Sequence, residues 1–237
     1  MQNSLFEQRL ENLKTVLDSN SQAVLLTNEK NIGYFCGFFH SEGYLLVTEN
    51  ETVLFVDFRY YEAALKKSSG CRVVCFTKLF KDLISELKNN SVVNVFFEAS
   101  DITVEKYNRF KKDFSGNNIE CVCDGSLDHK IEEIRCIKDE SEIKKIAKAQ
   151  EITEKSYLEV LNYLKPGVSE RRVALELEHL IKLNGGGVFH STSSRLQAKR
   201  LHCLTEFRQM ILSVREISLL LISAQFLTAI TAILRVR

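Results

Sequence analysis

An excess of charge of either sign is missing from this chain. Lys and Arg number 32 against 31 Asp and Glu, so the formal net charge is +1. No strong field therefore draws it to nucleic acid or to an acidic lipid surface. A C-x-x-C pair is missing too. Seven cysteines are scattered at Cys36, Cys71, Cys75, Cys121, Cys123, Cys136 and Cys203, an odd count that suits neither a zinc ribbon nor a disulfide framework. Free thiols in a reducing compartment are expected. The N-terminus, Met1-Gln-Asn-Ser-Leu-Phe-Glu-Gln-Arg9, places acidic and amide residues where a signal peptide would be apolar. A cytoplasmic protein is the expectation. Proline occurs once, at Pro166, and residues 188–237 contain no Gly, Pro, Asp, Asn or Tyr at all. Fifty residues without these turn-formers are hard to fold into a compact α/β half.

What is present is ordinary for a soluble globular chain: 45% apolar and 27% charged residues. Leu5, Phe6, Leu10, Leu13, Val16 and Leu17 have helical spacing over 4–18. Ala23-Val-Leu-Leu-Thr27 suits a buried strand, and Gly43–Thr48 with Thr52–Asp57 flank Glu49-Asn50-Glu51 as a hairpin would. Helical and strand patterns then alternate: helix over 60–67, strand over 72–76, helix over 79–88, strand over 92–97, helix over 103–113 and strand over 119–122. That alternation predicts an α/β layer domain over residues 1–128.

Beyond residue 129 the pattern becomes helical. Asp139 and Glu142 have capping-box spacing. Behind them Ile143, Ile146, Ala147, Tyr157, Leu161 and Leu164 mark one face of a long helix. Pro166-Gly167 is expected to stop it. Ser169 is expected to cap a second helix, with Val173, Leu177, Leu180 and Ile181 inward and Gly185-Gly-Gly187 at its end.

Two stretches carry a family resemblance. The first is Asn31-Ile-Gly-Tyr-Phe-Cys-Gly-Phe-Phe-His-Ser41, then Gly43-Tyr-Leu-Leu-Val47 and Asp57-Phe-Arg-Tyr-Tyr-Glu-Ala-Ala64. The second is Ile134-Arg-Cys-Ile-Lys-Asp-Glu-Ser-Glu-Ile143 with Leu164-Lys-Pro-Gly-Val-Ser-Glu170. Their order and spacing over residues 1–187 resemble the Xaa-Pro aminopeptidase and prolidase family, the creatinase-type "pita-bread" metallopeptidases. The resemblance implies a creatinase-like N-terminal α/β domain over 1–128. The first helices of an incomplete pita-bread catalytic domain would follow over 129–187.

The resemblance also implies metal-dependent hydrolysis of peptide bonds that precede proline. In the intact family two divalent ions (Mn, Co or Zn) are held by two Asp, one His and two Glu, generate a hydroxide and polarise the scissile carbonyl. A further His supports the tetrahedral intermediate. All of these lie downstream of the two helices, where this chain has no Asp. Accordingly no catalytic, cofactor-binding or metal-ligating residue is assigned here, and no cofactor is expected on the chain as written.

Reading residues 188–237 one frame over accounts for that absence. Each new codon takes the third base of one residue and the first two of the next. From Phe189/His190 the junctions permit a run that reaches P-H-G and then I-D-F-G, and from Gln225/Phe226 they permit V-F-D-G-Y-H-S-D-I-T-R-T. These resemble the family's supporting His and its two Asp ligands, in order. A frame change near Gly185–Val188 is expected, with 188–237 an out-of-frame tail. The remaining His and two Glu would have to be encoded beyond Arg237.

Several features support a plainer reading beside the functional one. His190, His202, Cys203 and Glu206 could be drawn as a metal cluster, but their codons are out of frame. Ile217–Leu234 has nearly the length of a membrane span, and the frame change explains its apolarity as well. Asp57 and Arg59 fit a substrate contact or a salt-bridged pair closing a strand end. His40 and Ser41 suit a polar loop, and Cys121 with Cys123 suit one face of a strand. Proline-containing peptides are the partners implied for the intact family, with homo-oligomerisation through the N-terminal domain. The alternatives are a non-enzymatic dimerisation or interaction module and a membrane-tethered N-terminal domain.

Overall fold

The computed structural model describes residues 2–39, 42–165 and 168–187. The expected Pro166-Gly167 stop, His40, Ser41 and everything assigned to 188–237 lie outside the described residues, including the candidate span and the His190, His202, Cys203 and Glu206 grouping. The chain divides into two compact units, Met1–Cys136 and Ile137–Arg237.

The first unit is an α/β layer structure, as the alternating pattern predicts. Its strands are β1 (Gln22–Leu26), β2 (Tyr44–Thr48), β3 (Thr52–Val56), β4 (Arg72–Cys75), β5 (Asn94–Phe97) and β6 (Glu120–Val122), in one sheet of order β4-β3-β2-β1-β5-β6. The β1–β2 and β2–β3 pairs are antiparallel; β3–β4, β1–β5 and β5–β6 are parallel. The hairpin forms where Glu49-Asn50 suggested it. There the Thr48 hydroxyl accepts from Glu51 N–H at 3.1 Å, and the Thr48 N–H donates to the Glu51 carbonyl at 2.9 Å.

Helices cover both faces, so the central strands are apolar on both sides rather than alternating with polar residues. Val24, Leu26, Leu45, Val47, Leu54 and Val56 point into one layer. They meet Leu10 and Leu13 of α1 (Gln2–Lys14), Ile32 and Phe35 of α2 (Glu29–Cys36), Ala64 of α3 (Tyr61–Lys67), and Leu127 and Ile131 of α6 (Ser126–Cys136). Leu25, Leu46, Val53, Phe55, Val95 and Phe97 point the other way, to Leu83 and Leu87 of α4 (Leu79–Asn89) and Phe110 and Phe114 of α5 (Val104–Ser115). Phe110 sits amid four rings, with centroids 5.1 Å from Phe80, 5.2 Å from Phe97, 5.5 Å from Phe114 and 6.0 Å from Tyr44.

Two elements go beyond the sequence reading. α2 is only two turns long and buried from Ile32 to Cys36, so its polar residues are confined to its first turn and its period does not show. α6 packs into the first unit through Leu127 and Ile131. Another differs at its end: α1 stops at Lys14, and Val16 and Leu17 follow in a turn whose side chains still pack on the core.

The second unit contains α7 (Glu140–Leu161) and α8 (Glu170–Leu183). The capping box forms: Asp139 accepts from Ser141 N–H at 2.7 Å and Glu142 N–H at 3.0 Å, while Glu142 Oε2 accepts from Asp139 N–H at 3.0 Å. Ser169 stands at the N-cap of α8 in extended backbone, but its side chain makes no capping bond. The apolar face expected along all of α7 is buried only in its later part, at Val160 and then Leu164, against Val173 of α8. Ile143 is exposed. At 1.5 Å per residue, 14 residues of α8 cannot cover 22 of α7.

Candidate functional site

The family-like signature Asn31–Phe38 folds as α2 and its exit. Asn28 caps the helix, its side chain accepting from Lys30 N–H at 2.8 Å and Asn31 N–H at 3.3 Å. Gly37 ends it in the left-handed conformation at φ +77°, with its N–H donating to the Gly33 carbonyl at 2.9 Å. A side chain at Gly37 would be strained and would also press on the Phe6 ring at 2.9 Å. Gly33 lies under Phe39, where a Cβ would come within 2.2 Å of the ring. Two of the motif's residues are therefore fixed by backbone shape and close packing.

The polar centre of the unit is Glu98, just past the C-terminal end of β5 and only 1% exposed. Its Oε2 accepts from Thr27 N–H at 2.6 Å and Asn28 N–H at 2.9 Å, and its Oε1 accepts from Asn31 Nδ2 at 2.6 Å. Asn31 Oδ1 in turn accepts from Arg135 Nη1 at 2.5 Å. Arg135 also lies 5.2 Å from the centroid of the Tyr34 ring, and Arg9 lies 3.9 Å from it while donating to the Tyr34 carbonyl at 2.9 Å. Burial pushes the Glu98 carboxyl above its ordinary range, more strongly than the donors from Asn31, Thr27 and Asn28 pull it down. Every bond named here ties one part of the first unit to another. Chemically the cluster is a structural clasp across β1, α2, β5 and α6.

Asp57, Arg59 and Glu42 form a second, exposed group. Asp57 Oδ1 accepts from Arg59 N–H at 2.8 Å and Asp57 Oδ2 from Arg59 Nε at 2.9 Å; Arg59 Nη2 bonds the Asp57 carboxylate as well and reaches Glu42 at 3.2 Å. The Arg59 guanidinium holds the Asp57 carboxyl below its usual value. The geometry matches a salt-bridged pair closing a strand end, directly after β3. Cys121 and Cys123 both pack on the α4–α5 side of the sheet, as a shared strand face predicts. Burial raises the Cys121 thiol to about 11.

Among the described residues no three His, Cys, Asp or Glu side chains stand together in a way that could hold a metal ion. The described donor set therefore does not fit a pair of divalent ions. Also among the described residues, no helix is long and apolar enough to cross a membrane. Composition and motif spacing did not single out Glu98 or Arg9. Glu98 carries a usable signal nonetheless, as a carboxylate closing the apolar run Val95-Phe-Phe97 at a strand's end.

Comparison with known proteins agrees with the signature. The Creatinase/Prolidase N-terminal domain matches residues 9–137. An Xaa-Pro dipeptidase of Pyrococcus furiosus is 32% identical over 183 residues, covering 76% of this chain and 49% of that protein. Among solved structures, an Xaa-Pro dipeptidase from Bacillus anthracis aligns with a TM-score of 0.70 at 27% identity, covering 76% of this chain and 50% of that one. The prolidase from Pyrococcus furiosus aligns with a TM-score of 0.63 at 31% identity, covering 74% and 53%. The chain spans about half the length of the curated relatives it matches. With the domain matched over more than half its residues, this chain belongs to the creatinase/prolidase N-terminal domain family.

Proposed function

We propose that the chain derives from the Xaa-Pro aminopeptidase and dipeptidase lineage, and that the polypeptide as written does not hydrolyse Xaa-Pro bonds. On this reading the first unit is the N-terminal domain of such a peptidase, and α7 and α8 are the first helices of its catalytic domain. An alignment covering 76% of the chain must run past residue 137, so similarity to the dipeptidase extends into the α7–α8 region. About a quarter of the chain stays outside that alignment, close to the size of the 50-residue tail.

The observation that carries the reading is the tail itself. One uniform shift of frame over residues 188–237 permits P-H-G, I-D-F-G and H-S-D-I-T-R-T, in that order. In the frame as written the tail has no Asp, so two of the carboxylates that the resemblance requires are missing. The substrates of the intact lineage would be proline-containing peptides, and its cofactors two divalent ions that supply a nucleophilic hydroxide.

The test is to sequence the gene across codons 180–200, extend the corrected frame to its natural stop, and assay both proteins on an Xaa-Pro substrate with Mn or Co. Turnover is expected only from the corrected product. Equal activity from the 237-residue chain, or no open frame downstream, overturns the proposal. A second reading, an interaction module that self-associates, draws on the first unit's own two-sided core, which needs no metal chemistry to stand. Sedimentation of the 237-residue chain tests it, and a monomer throughout the accessible concentration range would exclude it.

A further inference from the structure

Asn184-Gly185 is the only Asn-Gly pair in the chain. Asn184 is the C-cap of α8, and its backbone N–H donates to the Leu180 carbonyl at 2.9 Å. Gly185 follows in the left-handed region at φ +92°, a conformation that ends helices and favours glycine. The way α8 stops thus puts a glycine directly after an asparagine. Space is open on the side where a Cβ of residue 185 would stand, so no side chain shields the Gly185 nitrogen.

The same asparagine ties α8 to α7. Its Nδ2 donates to Ser156 Oγ at 3.1 Å and to Glu159 Oε2 at 3.0 Å, both on α7. Ser156 is fully buried, and its own hydroxyl donates to the Ile152 carbonyl at 2.8 Å. A carboxylate such as Glu159 only accepts. Two acceptors therefore face position 184, and a side-chain amide supplies both of the donors they take.

We propose that Asn184 is a site of spontaneous deamidation, held back by its bonds to α7, and that the product cannot remake those bonds. The Gly185 backbone nitrogen, losing its proton, attacks the side-chain carbonyl carbon of Asn184. A C–N bond closes a succinimide ring, the bond to Nδ2 breaks, and ammonia leaves with the proton. Water then opens the ring at either carbonyl and leaves an aspartyl or an isoaspartyl residue. In the folded chain both reacting groups are engaged, since Gly185 N–H donates to the Lys182 carbonyl at 3.1 Å and Nδ2 holds Ser156 and Glu159. The reaction therefore waits for the end of α8 to open. Afterwards a carboxylate with no donor to offer stands against Ser156 and against Glu159, whose charge has the same sign. Each opening that ends in reaction is one-way, and it loosens the helix pair.

The test incubates the full chain in warm, mildly alkaline buffer, with and without urea, and maps its peptides by mass and elution. Aspartyl and isoaspartyl forms should accumulate at residue 184 in both samples, several-fold more slowly in the folded one. An Asn184 that stays intact in both, or that reacts equally fast in both, would overturn the proposal. A second arm follows tryptic cleavage after Lys182 in the native protein. Asn184→Asp should raise that rate roughly tenfold, because both bonds across the helix pair are lost. Adding Glu159→Gln, whose amide can donate to the new carboxylate, should bring it back toward the wild-type rate. Unchanged cleavage in Asn184→Asp, or no recovery with Glu159→Gln, would show that the product does not loosen the pair.

Discussion

The two units of this chain are held together by different means. In the first, a six-stranded sheet sends alternate residues to two separate layers, with sixteen buried residues on one side and thirteen on the other. In the second, the described helices share a cluster of three buried residues, Val160, Leu164 and Val173. Burial stabilises by about 25 cal/mol per Å² of apolar surface, so the first unit rests on its core. The described helices of the second unit add a capping box on α7 and hydrogen bonds from the Asn184 amide to Ser156 and Glu159 across the pair. A sheet covered on both faces specifies its strands from two directions, whereas a helix pair specifies one stripe on each partner.

The largest effect is expected from emptying the ring cluster. Phe110→Ala should destabilise the first unit by about 3–5 kcal/mol, because the rings around it can only partly collapse into the space. Urea unfolding, followed by the near-ultraviolet signal of the aromatics, measures this. A loss under about 1 kcal/mol would remove the contrast between the units.

An intermediate effect is expected at Glu98. Replacement by Ala leaves the N–H groups of Thr27 and Asn28 and the Asn31 amide without their acceptor, and should cost about 1–3 kcal/mol. The pH dependence separates charge from shape. The folded state holds the Glu98 proton above its ordinary range, so the linked stability is fully present below the unfolded value of about 4.3. It is lost as pH rises through the folded value. Glu98→Gln cannot titrate and should flatten that slope, which urea midpoints measured across the acid-to-neutral range would show. An unchanged slope would mean that Glu98 is not the group responsible.

The smallest effect is expected in the second unit. Asp139→Ala removes the N-cap of α7 and should cost about 1 kcal/mol, read as lost helical circular dichroism on mild heating. Burial alone would raise the Asp139 carboxyl, but the bonds from Ser141 and Glu142 hold it well below the usual carboxylate range. Its contribution is therefore present above the unfolded value of about 3.9 and lost as pH falls through the folded value. The wild type should lose α7 helicity on acidification more steeply than Asp139→Ala. Equal acid sensitivity would show that the cap does not govern this helix.

Local chemistry was legible wherever it fixed local structure. The hairpin at Glu49-Asn50, the Asp139 box and the alternation of strand and helix over 1–122 could be read directly, because each depends on neighbours a few residues apart. Where the reading fell short, distant contacts decided. α2 hides its period because Ile32–Cys36 are buried on every side, and the apolar stripe along α7 is longer than α8 can cover. Ser169 fits the capping position by residue type, yet its side chain makes no capping bond, and spacing does not reveal that.

The sequence by itself determined which segments become strands, where the hairpin turns and which family the signature belongs to. It also exposed the compositional break at residue 188. Tertiary structure alone decided the sheet order, with β1 set between β2 and β5. It also decided that Glu98 clasps Asn31 across 67 residues. The reason is physical. Periodicity records which side of an element is apolar, but many strand orders satisfy the same pattern. The choice among them is made by packing two faces at once and by giving each buried polar group a partner far away in the chain.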